Sequence, residues 1–150
     1  MARLEFDVVS ALSGEVILAG LTDMTARRPD IWHGLDRAMY EVYEVGPTWA
    51  VIREGNKERI WARERYDWAT PGRVTWTMEE SSFATPGDFV AVDLQPRDGG
   101  GTRLHITWQR RGRNAFGRLI VALNVLTRGA LVRGSIRAGS RRMEALAAAV

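Results

Sequence analysis

The chain has no cysteine and only two histidines among its 150 residues. Without cysteine, no disulfide framework can stabilise the fold, so stability must come from a packed core. Because cysteine is absent and histidine is rare, the usual ligands of a structural zinc site are missing. We therefore expect neither a metal nor another cofactor. Hydrophobic residues make up 45% and charged residues 26% of the chain. These values and this length indicate one globular domain spanning residues 1–150.

Long apolar runs are also missing. No stretch of about 18 apolar residues occurs, so we expect no integral membrane segment. The first residues, Met1 to Asp7, carry charges where a secretory signal needs an apolar region. A cytoplasmic protein is therefore expected.

Lysine is nearly absent as well, because Lys57 is the only lysine among 21 basic residues. After Asp98 the chain carries ten arginines and one acid, Glu144. Such a cluster can bind phosphates, nucleic acid or anionic lipid. Since no nucleic-acid motif accompanies it, we expect no nucleic-acid partner and favour a compositional origin. A membrane- or protein-interaction module that uses the basic C-terminal helix is kept as an alternative.

Hydropathy periodicity predicts one strand and two short helices, followed by six strands. The first strand is Leu4–Val9, and helical spacing follows over Ser10–Thr22, with Ser13 as a candidate N-cap. A second short helix is predicted over Thr25–Trp32. The later strands are Ala38–Val45, Thr48–Glu54, Ile60–Trp68, Arg73–Glu80, Phe89–Gln95 and Thr102–Arg111. The short turns between them, rich in glycine and proline, favour an antiparallel meander.

The residues from Asn114 to Ala149 predict one long helix with Asn114 as its N-cap. Its glycines predict a bend near Gly129–Gly134, or the close approach of another backbone. The helix has two apolar stripes, and a helix that is apolar on two faces is normally buried on both. The first stripe contains Phe116, Leu119, Leu123 and Leu126. The second, which we consider for a homodimer contact, contains Val121, Val125, Val132, Ile136 and Met143.

Three local patterns accompany this order of elements: Val16–Asp23, Arg28–Gly34 with its tryptophan, and the Gly-Thr-Arg start of Gly101–Trp108. Together they resemble the START-like (SRPBCC) superfamily, particularly its polyketide cyclase/dehydrase-like branch. The resemblance implies an α+β helix-grip fold, in which a seven-stranded antiparallel sheet wraps around the long C-terminal helix. It also implies a cavity for a hydrophobic small molecule. The superfamily contains carriers and enzymes, so the fold by itself does not give an activity.

Strand alternation predicts which side chains face that cavity. Six tryptophans in so short a chain also point to a lined pocket. The predicted ligand-binding residues on the strands and the helix are Trp68, Trp76, Met78, Val92, Ile106, Trp108, Leu123, Asn124 and Thr127. Of the two histidines, His33 is expected near the cavity mouth and His105 on the outer face, and both are interpreted as structural or solvated.

The candidate catalytic residues are Glu64 and Tyr66, which share the inward face of one strand. A desolvated Glu64 would have a raised pKa and suit general acid–base catalysis, while Tyr66 suits hydrogen bonding to a carbonyl. The alternative for Glu64 is an ion pair with Arg53 or Arg63. Binding of a lipid-like or polyketide-like molecule is the first hypothesis for function. A polyketide cyclase, aromatase or dehydratase in the same pocket is the alternative.

Overall fold

The computed structural model describes residues 2–32, 34–56 and 59–149. His33, which the sequence places near a cavity mouth, lies outside these ranges. His105 lies on the outer face of the sheet, where its Nδ1 is 2.7 Å from Oδ1 of Asp7.

The described residues form seven strands and four helices. They are β1 (Ala2–Ser10), α1 (Gly14–Leu21), α2 (Arg28–Ile31), β2 (Glu41–Val45), β3 (Trp49–Gly55), β4 (Trp61–Asp67), β5 (Arg73–Ser81), β6 (Phe89–Pro96), β7 (Thr102–Arg110), α3 (Ala115–Leu126) and α4 (Ala130–Ala148). All neighbouring strands are antiparallel, in the order β1-β7-β6-β5-β4-β3-β2. This is the predicted helix-grip arrangement, with a seven-stranded antiparallel sheet and a long C-terminal helix. The fold prediction is therefore confirmed.

Side-chain alternation along the strands builds the core on one face of the sheet. In β7, for example, Leu104, Ile106 and Trp108 are all buried on this face. Helices α1 and α4 cover it and contribute Ile17, Leu21 and Ile136 to the same cluster. The inward orientations that alternation predicts for these strands agree with the observed burial.

Helix α4 lies close to its neighbours because its inner face is built from small residues. Gly139 has no side chain where the ring of Trp32 packs, and a Cβ there would lie 2.1 Å from that ring. Further along, Ser140 donates a hydrogen bond to Oγ of Ser10, which in turn donates to Glu144. These bonds fix the C-terminal half of α4 against β1.

The predicted single helix over Asn114–Ala149 is wrong in one respect, because it is broken into α3 and α4, which meet at an angle of 77°. The break has the hydrogen bonds of a Schellman motif: the amide of Gly129 donates to the carbonyl of Asn124 and that of Arg128 to Val125. Arg128 and Gly129 both adopt positive φ, at 52° and 76°. The predicted bend near Gly129–Gly134 is therefore a complete helix end. The sequence pattern does not reveal this, because a positive φ at a non-glycine residue such as Arg128 is uncommon.

The break directs α3 away from the sheet. Only Gly117 and Asn124 of this helix are buried, whereas Leu123 and Thr127 are exposed. Of the second apolar stripe, Ile136 and Met143 are buried inside the subunit. Those two side chains are thus unavailable to a second copy of the chain.

No single helix within the described residues is long and apolar enough to cross a membrane; α3 and α4 meet that test only when taken together across their bend.

We expect Gly129→Ala to lower the free energy of unfolding by about 1–3 kcal/mol, because a side chain at positive φ is strained. The new Cβ would also lie 3.0 Å from the ring of Phe6. Urea denaturation followed by circular dichroism measures this effect.

The matched control is Gly134→Ala, where a Cβ meets no atom within 4 Å and the residue lies inside α4. This variant should gain about 0.5–1 kcal/mol, since alanine favours helix more than glycine does. Equal effects of the two substitutions would contradict the assigned helix break.

Candidate functional site

A cavity of about 280 Å³ lies between the sheet, α4 and the segment around α2. Its lining residues are Leu21, Arg28, Trp32, Gly34, Leu35, Glu54, Asn56, Tyr66, Trp76, Val132, Ser135 and Ile136. Strands β3, β4 and β5 supply the floor, and the side chains of α4 facing the cavity follow the spacing of one helix face. Most of the wall is therefore aliphatic or aromatic.

Aromatic rings form the main apolar surface of the cavity. Tyr66 and Trp76 occupy opposed positions on β4 and β5, so their rings stack with centroids 5.2 Å apart. Trp32 closes the opposite side, and its indole N–H donates to the carbonyl of Gly20 at 3.2 Å. This bond and the contact with Gly139 fix the Trp32 ring between α1 and α4.

One end of the cavity is polar. The Arg28 guanidinium, only 3% exposed, donates through Nε to Oε1 of Glu54 at 2.5 Å. The Tyr66 hydroxyl donates to the same carboxylate oxygen at 3.2 Å, and Arg28 lies 4.9 Å from the centre of the Tyr66 ring. The three side chains form a compact ion-paired cluster that combines one positive and one negative charge.

Arg28 also completes the hydrogen bonding of the backbone around α1. Its Nη1 donates to the carbonyls of Leu21 and Asp23, at 2.9 and 3.2 Å. Burial alone would lower the pKa of Arg28, but the charges and hydrogen bonds of Glu54 and Tyr66 together outweigh burial and raise that pKa. Burial also raises the pKa of Tyr66 well above its usual value. Both groups therefore keep their protons at neutral pH and act as hydrogen-bond donors.

Tyr40 extends this polar region. Burial raises the pKa of its hydroxyl, and the charges of Arg28 and Glu54 also influence it. The buried hydroxyl has no hydrogen-bond partner among residues 2–32, 34–56 and 59–149. A buried hydroxyl without a partner is unfavourable, so it is a natural contact for an additional polar group.

A second buried ion pair lies on the same strand as Tyr66. Glu64 is 5% exposed, as its strand position predicts, and Nη2 of Arg110 donates to it at 2.9 Å. Burial raises the pKa of Glu64 to about 6, while the charge of Arg110 acts in the opposite direction. Glu64 is not among the residues that line the cavity, whereas Tyr66 is.

The partners proposed for Glu64 from the sequence are wrong. Arg53 pairs instead with Glu41, and Arg63 with Glu79 and Glu80. The reason is strand geometry: Arg53 and Arg63 are opposed to each other on the outer face of β3 and β4, whereas Glu64 faces inward. Arg110 has the inward parity of Trp108 and reaches Glu64 across the sheet.

The remaining predicted ligand-binding residues occupy three different environments. Met78, Val92, Ile106 and Trp108 are buried core residues that do not line the cavity, and Trp68 is half-buried against the core. Leu123 and Thr127 lie on exposed α3 surface, because the helix break carries them off the sheet. Of the predicted set, only Tyr66 and Trp76 line the cavity.

Asn124 is buried but lies outside the cavity. Its Nδ2 donates to the carbonyl of Ile120 at 3.3 Å, which is the local capping role considered as an alternative to ligand contact. Its Oδ1 has no partner within the described part of the chain.

Sequence reasoning missed Arg28 and Glu54. Glu54 shares inward parity with Ala50 and Ile52, a signal that was available in the sequence. Glu54 lies at the end of β3 beside a turn, and alternation alone does not distinguish a buried strand end from a solvated one. Arg28 carries no comparable signal, since its burial depends on where α2 packs.

Comparisons with solved structures identify the fold. A protein from Thermus thermophilus superposes with a TM-score of 0.77 at 15% identity, over 97% of this chain and 99% of that one. The Zhui aromatase/cyclase from a Streptomyces species gives 0.76 at 16%, over 95% and 93%. A START superfamily protein from Mycobacterium smegmatis gives 0.69 at 13%, over 96% and 98%. The chain has a START-like fold. No family model and no curated protein sequence matches it.

The START-like fold thus agrees with the resemblance noted in the sequence. At these identities the likeness establishes the architecture alone. What the cavity binds must be argued from its own residues.

Replacing Arg110 with methionine should lower the free energy of unfolding by about 3–5 kcal/mol near neutral pH, because Glu64 then becomes an unpaired buried charge. The pKa of Glu64 is already raised from 4.5 to about 6, so the folded state favours the protonated acid. The stabilisation that the protonated Glu64 gives the folded state is complete below the unfolded pKa and is lost as pH rises through the folded pKa. Without Arg110 the folded pKa rises further, so the deficit should be larger at neutral pH than in mild acid.

Urea denaturation in mild acid and at neutral pH measures this difference. The double variant Glu64→Gln/Arg110→Met should recover most of the lost stability, since it leaves no buried charge. Arg97→Met, on an exposed turn, is the control and should change stability by less than about 0.5 kcal/mol. A deficit that does not depend on pH would contradict the assigned pair.

Proposed function

We propose that the protein binds a hydrophobic small molecule, lipid-like or polyketide-like, in the cavity between the sheet and α4. The observation that carries this proposal is a cavity with stacked aromatic rings on one side and a single ion-paired polar end. Ligand sites typically combine an apolar wall with a few convergent polar groups. The cavity volume of about 280 Å³ is near the lower end for such sites, which favours a compact ring system over a long acyl chain.

The polar end indicates what kind of oxygen the ligand carries. Arg28 and Glu54 neutralise each other, so a ligand carboxylate would meet no uncompensated positive charge there. A ketone, phenol or alcohol oxygen fits better, because the Arg28 guanidinium is a protonated donor and Glu54 is an acceptor, while the single hydroxyl proton of Tyr66 goes to Glu54. Such a group would orient the ligand with its apolar part against Trp76.

The second candidate function is catalysis in the same cavity, of the cyclase, aromatase or dehydratase type. The observation that favours it is the position of Tyr66 in the cavity wall, two residues along β4 from Glu64, whose pKa burial raises to about 6. Glu64 pairs with Arg110 and does not line the cavity, so proton transfer to a substrate would require this pair to open. Tyr66 would hydrogen-bond a carbonyl once its hydroxyl turns away from Glu54. A protein of similar fold, the Zhui protein, is described as an aromatase/cyclase.

A cytoplasmic location of the protein stays a prediction.

Truncation of the aromatic wall tests the binding proposal. Trp76→Ala should weaken the binding of prodan, a neutral naphthalene ketone dye, by about tenfold, because it removes one ring of the stacked pair. Trp49→Ala is the matched control: Trp49 lies on the opposite face of the sheet, where it packs against Arg65, and its loss should leave affinity within about twofold. Fluorescence titration measures both. Equal losses in the two variants would count against this cavity as the binding site.

Glu64→Gln distinguishes the two functions when it is made together with Arg110→Met, so that no unpaired charge stays buried, and is compared with Arg110→Met alone. If the protein is an enzyme acting on a polyketide-like substrate, the substitution should reduce turnover by about 10²–10⁴-fold and leave substrate affinity nearly unchanged. If it is a carrier, dye binding should be unchanged and no turnover should be detected in either protein. Unchanged turnover in the variant would exclude Glu64 as the catalytic acid.

A further inference from the structure

Helix α3 exposes a row of large apolar side chains. Phe116, Leu119, Leu123 and Leu126, here called the α3 patch, are between 39% and 78% exposed, with Leu126 the most exposed. At 100° per residue, these four side chains fall within a sector of about 80° on one face of the helix. An exposed apolar row of this kind marks a surface that meets something other than water.

The α3 patch is held in place at both ends of its helix. Gly117, on the opposite face, lies directly against the carbonyl of Phe83, so close that a Cβ would overlap it. At the other end, the Schellman motif ends α3, and Gly129 contacts the ring of Phe6. The outward orientation of the patch therefore follows from backbone packing rather than from loose attachment.

The segment of the chain that contains α3 carries charged residues of one sign. Between Asp98 and Glu144 the chain has ten arginines and no acidic residue. Arg118 lies on α3, about 80° around the helix from the edge of the patch, and Arg128 follows the C-terminal end of α3; both are exposed. Neither forms an ion pair with any residue in the described ranges. An apolar row flanked by exposed arginines is the pattern of a helix that lies in a membrane interface.

We propose that α3 docks on an anionic phospholipid surface. The α3 patch would enter the boundary between headgroups and acyl chains, and the flanking arginines would contact lipid phosphates. A second copy of the chain fits less well, because a symmetric contact through this face would bring the two sets of arginines together. Since α3 leads directly into α4, which lines the cavity through Val132, docking would place the cavity near the lipid from which an apolar ligand is drawn.

Vesicle sedimentation tests the proposal with the full chain and no added ligand. The protein should bind vesicles of phosphatidylcholine mixed with phosphatidylglycerol, and bind pure phosphatidylcholine far more weakly. Raised salt should weaken the binding to the mixed vesicles. Equal binding to both vesicle types, or binding to neither, would overturn the proposal.

Paired variants separate the apolar and the charged contributions. Leu119→Gln/Leu126→Gln should reduce partitioning by about tenfold or more. Val9→Gln/Val45→Gln, which alters two apolar residues exposed on the edge strands β1 and β2, should not.

Arg118→Gln/Arg128→Asn should reduce binding to the anionic vesicles by about fivefold per residue. The control variant Arg97→Gln/Arg103→Gln should leave this binding nearly unchanged. Circular dichroism checks that each variant is folded, and equal losses in a variant and its control would overturn the assignment of this face.

Because the chain has no cysteine, one introduced thiol can report the depth of α3 directly. Leu126→Cys labelled with nitrobenzoxadiazole should shift to shorter emission wavelength on anionic vesicles, whereas Val45→Cys should not. A shift at Val45 alone, or at neither site, would refute docking through α3. A dimer in light scattering that Leu119→Gln/Leu126→Gln dissociates, without vesicle binding, would assign the face to self-association and also overturn the proposal.

Failure here leaves the cavity proposal intact, since dye binding does not require vesicles.

Discussion

The buried ion pair between Arg28 and Glu54 determines where the cavity lies. The Arg28 guanidinium donates hydrogen bonds to the carbonyls of Leu21 and Asp23 at the end of α1. It also holds α2 to β3 through Glu54, the carboxylate that accepts from the Tyr66 hydroxyl. Because α2 is only four residues long, it has little intrinsic helical stability and depends on such tertiary contacts. Trp32 follows α2 directly, so the aromatic ring that closes the cavity is positioned by the same pair.

The helix break accounts for both the cavity and the apolar surface beside it. Gly139 on α4 leaves room for the ring of Trp32, and this ring forms one side of the cavity. If α3 and α4 formed one straight helix, the residues of α3 would cover more of the sheet face on which α4 packs. The left-handed conformation at Arg128 turns α3 outward instead. The backbone groups at the break are hydrogen-bonded to each other in the Schellman motif.

Most of the architecture could be predicted from the sequence, because alternation and turn chemistry are local signals. The strands around Tyr66, Val92 and Trp108 have the predicted inward faces, and Ser13 and Asn114 cap their helices as expected. The misplaced features depend on long-range packing or on a rare backbone conformation. Glu64 meets Arg110, which is 46 residues away, and no local pattern encodes that distance.

The candidate site was predicted less well than the fold for a related reason. Alternation predicts which face a strand residue occupies, but not which part of that face a helix covers. Trp108 and Ile106 therefore share the parity of Trp76 and yet belong to solid core, whereas Trp76 lines open space. Only the positions of α2 and α4 separate filled from unfilled regions of the same sheet face.

The place of β1 in the sheet has a consequence for the order of folding during synthesis. β1 is an edge strand whose sheet neighbour is β7, with Ala2 opposite Arg110 and Ser10 opposite Thr102. Of these seven strands β1 is synthesised first, and it cannot pair with its neighbour until β7, the last of them, has been synthesised. Pairing over such sequence separations slows folding. Until β7 emerges, the alternating apolar residues of β1 have no sheet to join, and a nascent chain stalled before that point would expose them to chaperones and to other chains.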